Sequence, residues 1–360
     1  MIKFLRAILP LCLFLFVECS HGTDQRLIGA KIYDHPGPYD QLFEQWNGMG
    51  INTAFCSQAL VSKREFMQEA RKHRISTFMI FPVFFNPEAL AEDPGLAAIN
   101  RDGEAAVAEW VEFVCPSREP YRLQMVDQVR QMVRDHQPDG ISIDFIRHFV
   151  YWEKVYPDRD PVTLPVCCFD SVCVTRFQAE TGTVIPGKLR GIKEQADWIL
   201  DHYEEEWTAW HCAQITSMAE SIARAAREEK PDIRVNIHLV PWGKEDFNGA
   251  IRRVAGQDVQ AFSKFCDYLS PMSYAHMVKQ PPSWIHGIVE DIHKQTRAPV
   301  LPSIQVGKAY LDAEFGLDEF RKTVEAALQH PSSGLILWSW ERLMAEPEKA
   351  ALFKDIMAAR

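Results

Sequence analysis

Apolar, β-branched runs alternate with amphipathic helical patterns along nearly the whole chain, and that alternation constrains the fold more than any other feature. Eight runs read as strands: Leu27–Asp34, Ile51–Ser57, Ser76–Phe85, Gly140–His148, Arg234–Trp242, Asp267–Tyr274, Pro299–Val306 and Gly334–Trp340. Helical spacing separates them, as in Tyr39–Met49, Lys63–His73, Tyr121–His136, Ala196–Lys230, Trp284–Gln295 and Leu317–His330. Strands reached through intervening helices pair in parallel, and eight βα units predict closure into one (β/α)8 barrel over residues 25–360. Two connections are too long for plain turns, Asn86–Ser117 after the third strand and Phe149–Ala196 after the fourth. In such a barrel both leave the carboxyl ends of strands, where active sites are built.

The first residues, from Met1 to about Ser20, have the pattern of an export signal. Lys3 and Arg6 precede the apolar run Ile8–Val17, which is too short to span a bilayer. The expectation is a periplasmic, secreted or lipid-anchored protein with no transmembrane helix in the mature chain. Lipidation of Cys19 stays open, because Glu18 fits neither a cleavage site nor a lipobox. A formal net charge of −10, without a basic block, argues against nucleic acid as a partner. Of nine cysteines, Cys12 and Cys19 fall in the leader, leaving seven, an odd number that full internal pairing cannot use. Cys56, Cys115 and Cys266 sit in apolar runs and read as small core residues. Cys167, Cys168 and Cys173 cluster in the second long loop, where a disulfide or, less simply, a metal would fit.

The stretch Pro138–His148 carries the densest chemical signal. Strand alternation places Ser142 and Asp144 on one face, and a carboxylate at the inward end of a barrel strand points into the mouth. Arg147 is close enough to pair with Asp144, or with a neighbouring acid, and lower its pKa. The plainer alternative is an Asp144–Arg147 pair bracing the barrel rim. A second mouth carboxylate is expected at Glu341, after the eighth strand, with Asp34 next and Glu153, Glu245 and Asp246 as outside candidates. Glu341 could equally be a solvated charge or a helix cap. Asn236, His238 and His148 are buried-strand polar groups suited to binding hydroxyls or to satisfying one another. Tyr274, Trp338 and Trp340 supply aromatic surface on which sugar rings stack. No Gly-x-Ser-x-Gly elbow, His-Glu-x-x-His helix, P-loop or Gly-x-Gly-x-x-Gly run occurs, so no cofactor and no metal are expected at the mouth.

The segment Asp139-Gly-Ile-Ser-Ile-Asp144-Phe-Ile-Arg147 resembles the Asp-Gly-Ile-x-x-Asp-x-x-Arg stretch of the family-10-like glycosyl hydrolases. Leu42–Phe55, Phe113–Ser117, Cys168–Cys173 with Arg176-Phe177 and Glu180-Thr-Gly182, and the helix bearing Trp207 and Trp210 extend the resemblance over most of the mature chain. It implies a barrel and a polysaccharide context, and little about linkage. A weaker similarity runs to family-18 chitinases, through Asp139–Asp144, Met272-Ser-Tyr274 and Gly334–Trp338. Where those enzymes carry their acid Glu this chain has Ile146, so their substrate-assisted mechanism does not carry over. Residues and resemblance together predict a glycoside hydrolase acting on an extracellular oligo- or polysaccharide. Asp144 and Glu341 are its catalytic pair; Asp34, Arg147, His148, Asn236, His238, Tyr274, Trp338 and Trp340 bind substrate. The rivals are a non-catalytic carbohydrate-binding barrel and a lyase or deacetylase using the same cleft. Retaining or inverting chemistry and the oligomeric state stay open.

Overall fold

The computed structural model describes residues 26–360; the expected export segment lies outside the described residues. The eight strands are β1 (Leu27–Ile32), β2 (Thr53–Cys56), β3 (Ser76–Pro82), β4 (Gly140–Asp144), β5 (Arg234–Leu239), β6 (Tyr268–Pro271), β7 (Ser303–Gln305) and β8 (Gly334–Trp338). Each pairs in parallel with its neighbour, and β8 returns to pair with β1. Bridges Leu269↔Val300 and Met272↔Ser303 join β6 to the run entering β7 and complete the ring. The chain is a single (β/α)8 barrel. Among the described residues no helix is long and apolar enough to cross a membrane.

All eight expected strands are present, several of them shorter at their carboxyl ends than the apolar runs suggest. β4 stops at Asp144 because Phe145 adopts a positive φ of 49°, which turns the chain out of the ladder. β8 stops at Trp338 because the next helix already begins at Trp340. The expected long helix after the fourth strand is two, Ile192–His202 and Glu204–Glu229, broken at Tyr203. Within the second long connection lies a further helix, Ser171–Thr181, started by Asp170 accepting the Cys173 N–H at 2.7 Å and stopped by left-handed Gly182. The first long connection contains the helix Pro87–Glu92 and a two-residue hairpin, Val107–Ala108 with Val111–Glu112.

The barrel interior divides into an apolar plug and a polar layer. Leu27, Phe55, Phe78, Ile80, Leu301 and Ile336 form the plug, separate from the large core between strands and helices. Phe78 meets Gly140, Arg234 and Tyr268, the first residues of β4, β5 and β6, so the plug fills the amino-terminal end. Phe55 and Phe78 stack at 5.0 Å, and this is what requires Gly29 and Gly140. A Cβ on Gly29 would sit 2.5 Å from the Phe55 ring, and one on Gly140 would overlap Phe78. Toward the mouth the inward positions turn polar: Ser142, Asn236, His238, Ser270, Lys31 and Asp144 are all buried. Polar groups in such a place must find partners or face a ligand.

Candidate active site

A cavity of about 600 Å³ opens at the carboxyl ends of the strands. Its floor is Lys31 and Asp144, the last inward residues of β1 and β4, joined at 3.6 Å. Burial is the strongest influence on Asp144 and acts to raise its pKa. Lys31, the Phe145 N–H at 2.8 Å and Arg147 together outweigh it, so the carboxyl stays below its ordinary range and ionised. The ion-pair partner of Asp144 is therefore Lys31; Arg147, expected to pair with Asp144 or with a neighbouring acid, makes no hydrogen bond to either. The turn at Phe145 carries Arg147 out of line with the strand and beneath the Phe113 and Phe145 rings, 4.6 and 5.3 Å away.

Arg147 faces a second carboxyl instead. Its charge acts on Glu153, which the short helical turn Trp152–Lys154 holds in the wall of the same cavity. Burial pushes Glu153 up to about 7; Arg147 offsets part of that rise and the charge on Asp144 adds to it. Both groups have unmet hydrogen-bonding capacity: none of the three Arg147 nitrogens, and not Glu153 Oε2, has a partner among the described residues. Arg147 is 1% exposed, so its guanidinium is a buried, fixed set of donors awaiting an acceptor.

Beneath the floor, Asn236 donates to Ser142 Oγ at 2.9 Å, Ser270 donates to Asn236 Oδ1 at 2.7 Å, and His238 Nε2 lies 3.0 Å from Ser142 Oγ. Burial, reinforced by Lys31, pushes His238 down to about 3, so the ring is neutral. Of these side chains, Asn236 and His238 were expected to touch substrate. They do not line the cavity; they occupy one another and brace the strands that carry Asp144. His148 is also outside it, stacked on His211 at 4.1 Å and pushed down to about 4 by burial. Trp340 points away from the mouth and packs on Trp46, because it starts a helix rather than extending β8.

The remaining expected residues do reach the cavity. Tyr274 is buried, with its hydroxyl 3.3 Å from Ser303 Oγ and its ring stacked on Trp338 at 4.4 Å. The Arg342 guanidinium lies 4.6 Å from the Trp338 ring, so much of that π surface is already engaged. Glu341 accepts the Tyr33 N–H at 2.7 Å and the Asp34 N–H at 3.4 Å, tying the end of β1 to the helix after β8. Asp34 is a rim charge, 3.3 Å from Lys63. Glu245 and Asp246 line a different, smaller depression.

Free aromatic surface comes from residues that sequence reasoning passed over. Trp110, at the hairpin of the first long loop, and Tyr310, after β7, are 44% and 40% exposed and line the opening. Tyr151 stands between them, 6.0 Å from each ring. Lys31 was legible: alternation from Leu27 through Gly29 puts it on the inward face, and a lone cation there demands an anion. Glu153 and the rim aromatics carry no such periodicity.

No protein-family model matches the chain, and no curated protein is similar to it in sequence. Its shape is similar to that of solved structures. The PgaB (BpsB) glycoside hydrolase domain from Bordetella bronchiseptica superposes with a TM-score of 0.67 at 11% identity, over 91% of this chain and 98% of that one. The β-galactosidase of the Antarctic haloarchaeon Halorubrum lacusprofundi follows at a TM-score of 0.60 and 12% identity, over 87% of this chain and 52% of that one. For α-L-fucosidase isoenzyme 2 from Paenibacillus thiaminolyticus the values are 0.54 and 12%, over 88% and 46%. The chain spans about half the length of the latter two. At these identities the likeness shows a shared barrel.

Proposed function

We propose that this protein is a glycoside hydrolase, with Asp144 and Glu153 as its catalytic carboxyls. One observation carries the reading. Of the four carboxyl groups that line the barrel-mouth cavity two are buried, and their surroundings push their titrations apart, Asp144 below the ordinary range and Glu153 up to about 7. Glycosidic cleavage needs that division of labour: a protonated acid for the leaving oxygen and an ionised partner for the anomeric carbon or its attacking water. Glu153 gives its proton to the bridging oxygen. Asp144, held charged by Lys31, is the nucleophile of a retaining reaction or the base of an inverting one. Arg147 donates to a sugar hydroxyl or to the Glu153 carboxylate left after proton transfer. Trp110 and Tyr310 stack on sugar rings at the entrance. In this scheme Glu153 takes the place expected of Glu341, whose Oε1 is already committed to two backbone N–H groups.

The glycosidases among the similar structures support this reading, as does the sequence resemblance to the family-10-like glycosyl hydrolases. The amino-terminal segment supports action outside the cytoplasm, on an oligo- or polysaccharide. The test is turnover across a broad glycan panel, with Asp144→Asn beside the unmutated protein. The expected result is hydrolysis reduced by about three or more orders of magnitude in kcat, with binding retained. Anomeric analysis of the first product then separates retention from inversion. Binding without turnover by the unmutated protein across the panel overturns catalysis in favour of a carbohydrate-binding barrel. Near-normal turnover by a folded Asp144→Asn protein removes Asp144 from the mechanism.

A further inference from the structure

The two long loops that build the cavity wall meet away from it, at a cluster of buried thiols. Cys115 closes the first loop, its N–H bonded to the Leu96 carbonyl at 2.8 Å. Cys168 and Cys173 come from the second, on either side of Asp170. The sulfurs of Cys115 and Cys173 are 3.3 Å apart, and one ligand atom from each of Cys115, Cys168, Asp170 and Cys173 falls within 4.8 Å of all the others. The three cysteines are 0% exposed and Asp170 is 4% exposed.

From this convergence we propose that Cys115, Cys168, Cys173 and Asp170 bind one zinc ion, which staples the two mouth loops together. Four converging donors of sulfur and carboxylate type are what tetrahedral zinc takes, with Zn–S bonds of about 2.3 Å that set neighbouring sulfurs a little under 4 Å apart. Small core residues need none of this polarity. Yet the Ile99 N–H donates to Cys168 Sγ at 3.1 Å, the kind of bond that steadies a thiolate, and a buried carboxylate stands among the sulfurs. Arg118, 2.7 Å from Asp170, supplies a counter-cation for a site whose ligands together outweigh the metal's charge. Binding converts three thiols into three thiolates, forms three Zn–S bonds and one Zn–O bond, and releases three protons to solvent. No electrons move. The expected cysteine pin of the second loop thus becomes a metal pin that also takes in Cys115, which the sequence had read as a core filler.

The test is metal analysis of the whole purified protein, prepared with zinc under reducing conditions and then freed of loose metal. About one equivalent of zinc is expected, and replacement with cobalt should give the intense visible bands of a tetrahedral thiolate site. Cys115→Ser and Cys173→Ser should each lose the metal, whereas Cys212→Ser and Cys266→Ser, outside the cluster, should keep it. Stripping the unmutated protein with a strong chelator should lower its melting temperature, a readout that needs no variant to fold. A protein that takes up no zinc or cobalt overturns the proposal. So does an intact mass lighter by two hydrogens with Cys115 joined to Cys173, which identifies the cluster as a disulfide. Neither result bears on Asp144 or Glu153, so this site and the glycosidase reading fail separately.

Discussion

The floor and the wall of the cavity are built on different physical terms. The floor is strand-borne: Lys31 and Asp144 stand on β1 and β4, and the Ser142–Asn236–Ser270–His238 network beneath them fixes those strands by side-chain hydrogen bonds. The wall is loop-borne: Arg147 and Glu153 follow the turn at Phe145, and each keeps buried polar atoms without partners. In the floor, polar groups largely satisfy one another, with His238 Nδ1 alone of that network left without a partner, and the charges of Lys31 and Asp144 are paired. In the wall, capacity is left open and one carboxyl sits near neutrality. A barrel can afford such a wall only because the floor holds it rigidly, so the two regions should answer mutation differently.

The largest functional effect in the wall is expected for Glu153→Gln. If Glu153 is the general acid, kcat falls by about 10²–10⁴-fold, and the decline of activity as pH rises through about 7 disappears from the profile. Stability moves the opposite way. The Glu153 carboxyl titrates near 7 in the folded protein and near its ordinary 4.5 when unfolded, so the unfolded state loses its proton first. The contribution of Glu153 to stability is thus fully present below about 4.5 and is lost as pH rises through about 7. Thermal melts over that window should show a fall that Glu153→Gln lacks. An equal fall in both would break the contrast between wall and floor.

Lys31→Met probes the floor. It removes the cation 3.6 Å from a buried carboxylate, and breaking such a pair from one side costs about 3–5 kcal/mol. Chemical denaturation should register that loss. The acid limb of the activity profile should also move to higher pH, because Asp144 loses what chiefly keeps it ionised. Adding Asp144→Asn to Lys31→Met should recover part of the stability, since the stranded charge is gone. A Lys31→Met protein of normal stability would mean that the floor is no more settled than the wall.

The same contrast explains what was legible in the sequence. Period-two alternation fixed the eight strands and the inward direction of Ser142 and Asp144, and the same rule reaches Lys31. It misled where a strand ended early. His148 lies past the Phe145 turn and Trp340 is the first residue of the short helix after β8, so their assumed parity does not hold. Asn236 and His238 were placed on the correct face but too high, because alternation gives direction and not depth. Glu153, which loop position alone made an outside candidate beside Glu245 and Asp246, and Trp110 and Tyr310 stand on loops whose course depends on packing between distant segments, such as the Cys115–Cys173 contact 58 residues apart in sequence. No local pattern encodes that.

Gly140→Ala separates the barrel's packing from its chemistry. The added methyl overlaps the Phe78 ring, which is already stacked on Phe55, and Phe55 in turn presses on Gly29. Overpacking of this kind costs about 1–3 kcal/mol. The melting temperature should fall by several degrees, while kcat per folded molecule stays unchanged because the plug lies at the far end of the barrel from Asp144. A loss of turnover without a loss of stability would show that the plug and the mouth are coupled.

The smallest effect is expected at the outer edge of the wall, for Trp110→Ala. The indole is 44% exposed, and its inner edge meets the Phe85 ring at 5.4 Å, so truncation leaves no enclosed cavity and should cost little stability. If its role is to stack on a sugar away from the bond being cleaved, it binds ground state and transition state alike. Removing uniform binding raises KM and leaves kcat in place. An aromatic contact worth about 1 kcal/mol corresponds to roughly a fivefold rise in KM. The rise should be greater for long oligosaccharides, which reach the rim, than for a short aryl glycoside, which occupies only the floor. Equal effects on both substrates would place Trp110 beside the scissile bond, and the division between a catalytic interior, made of the floor and the inner wall, and a merely adhesive rim would have to be redrawn.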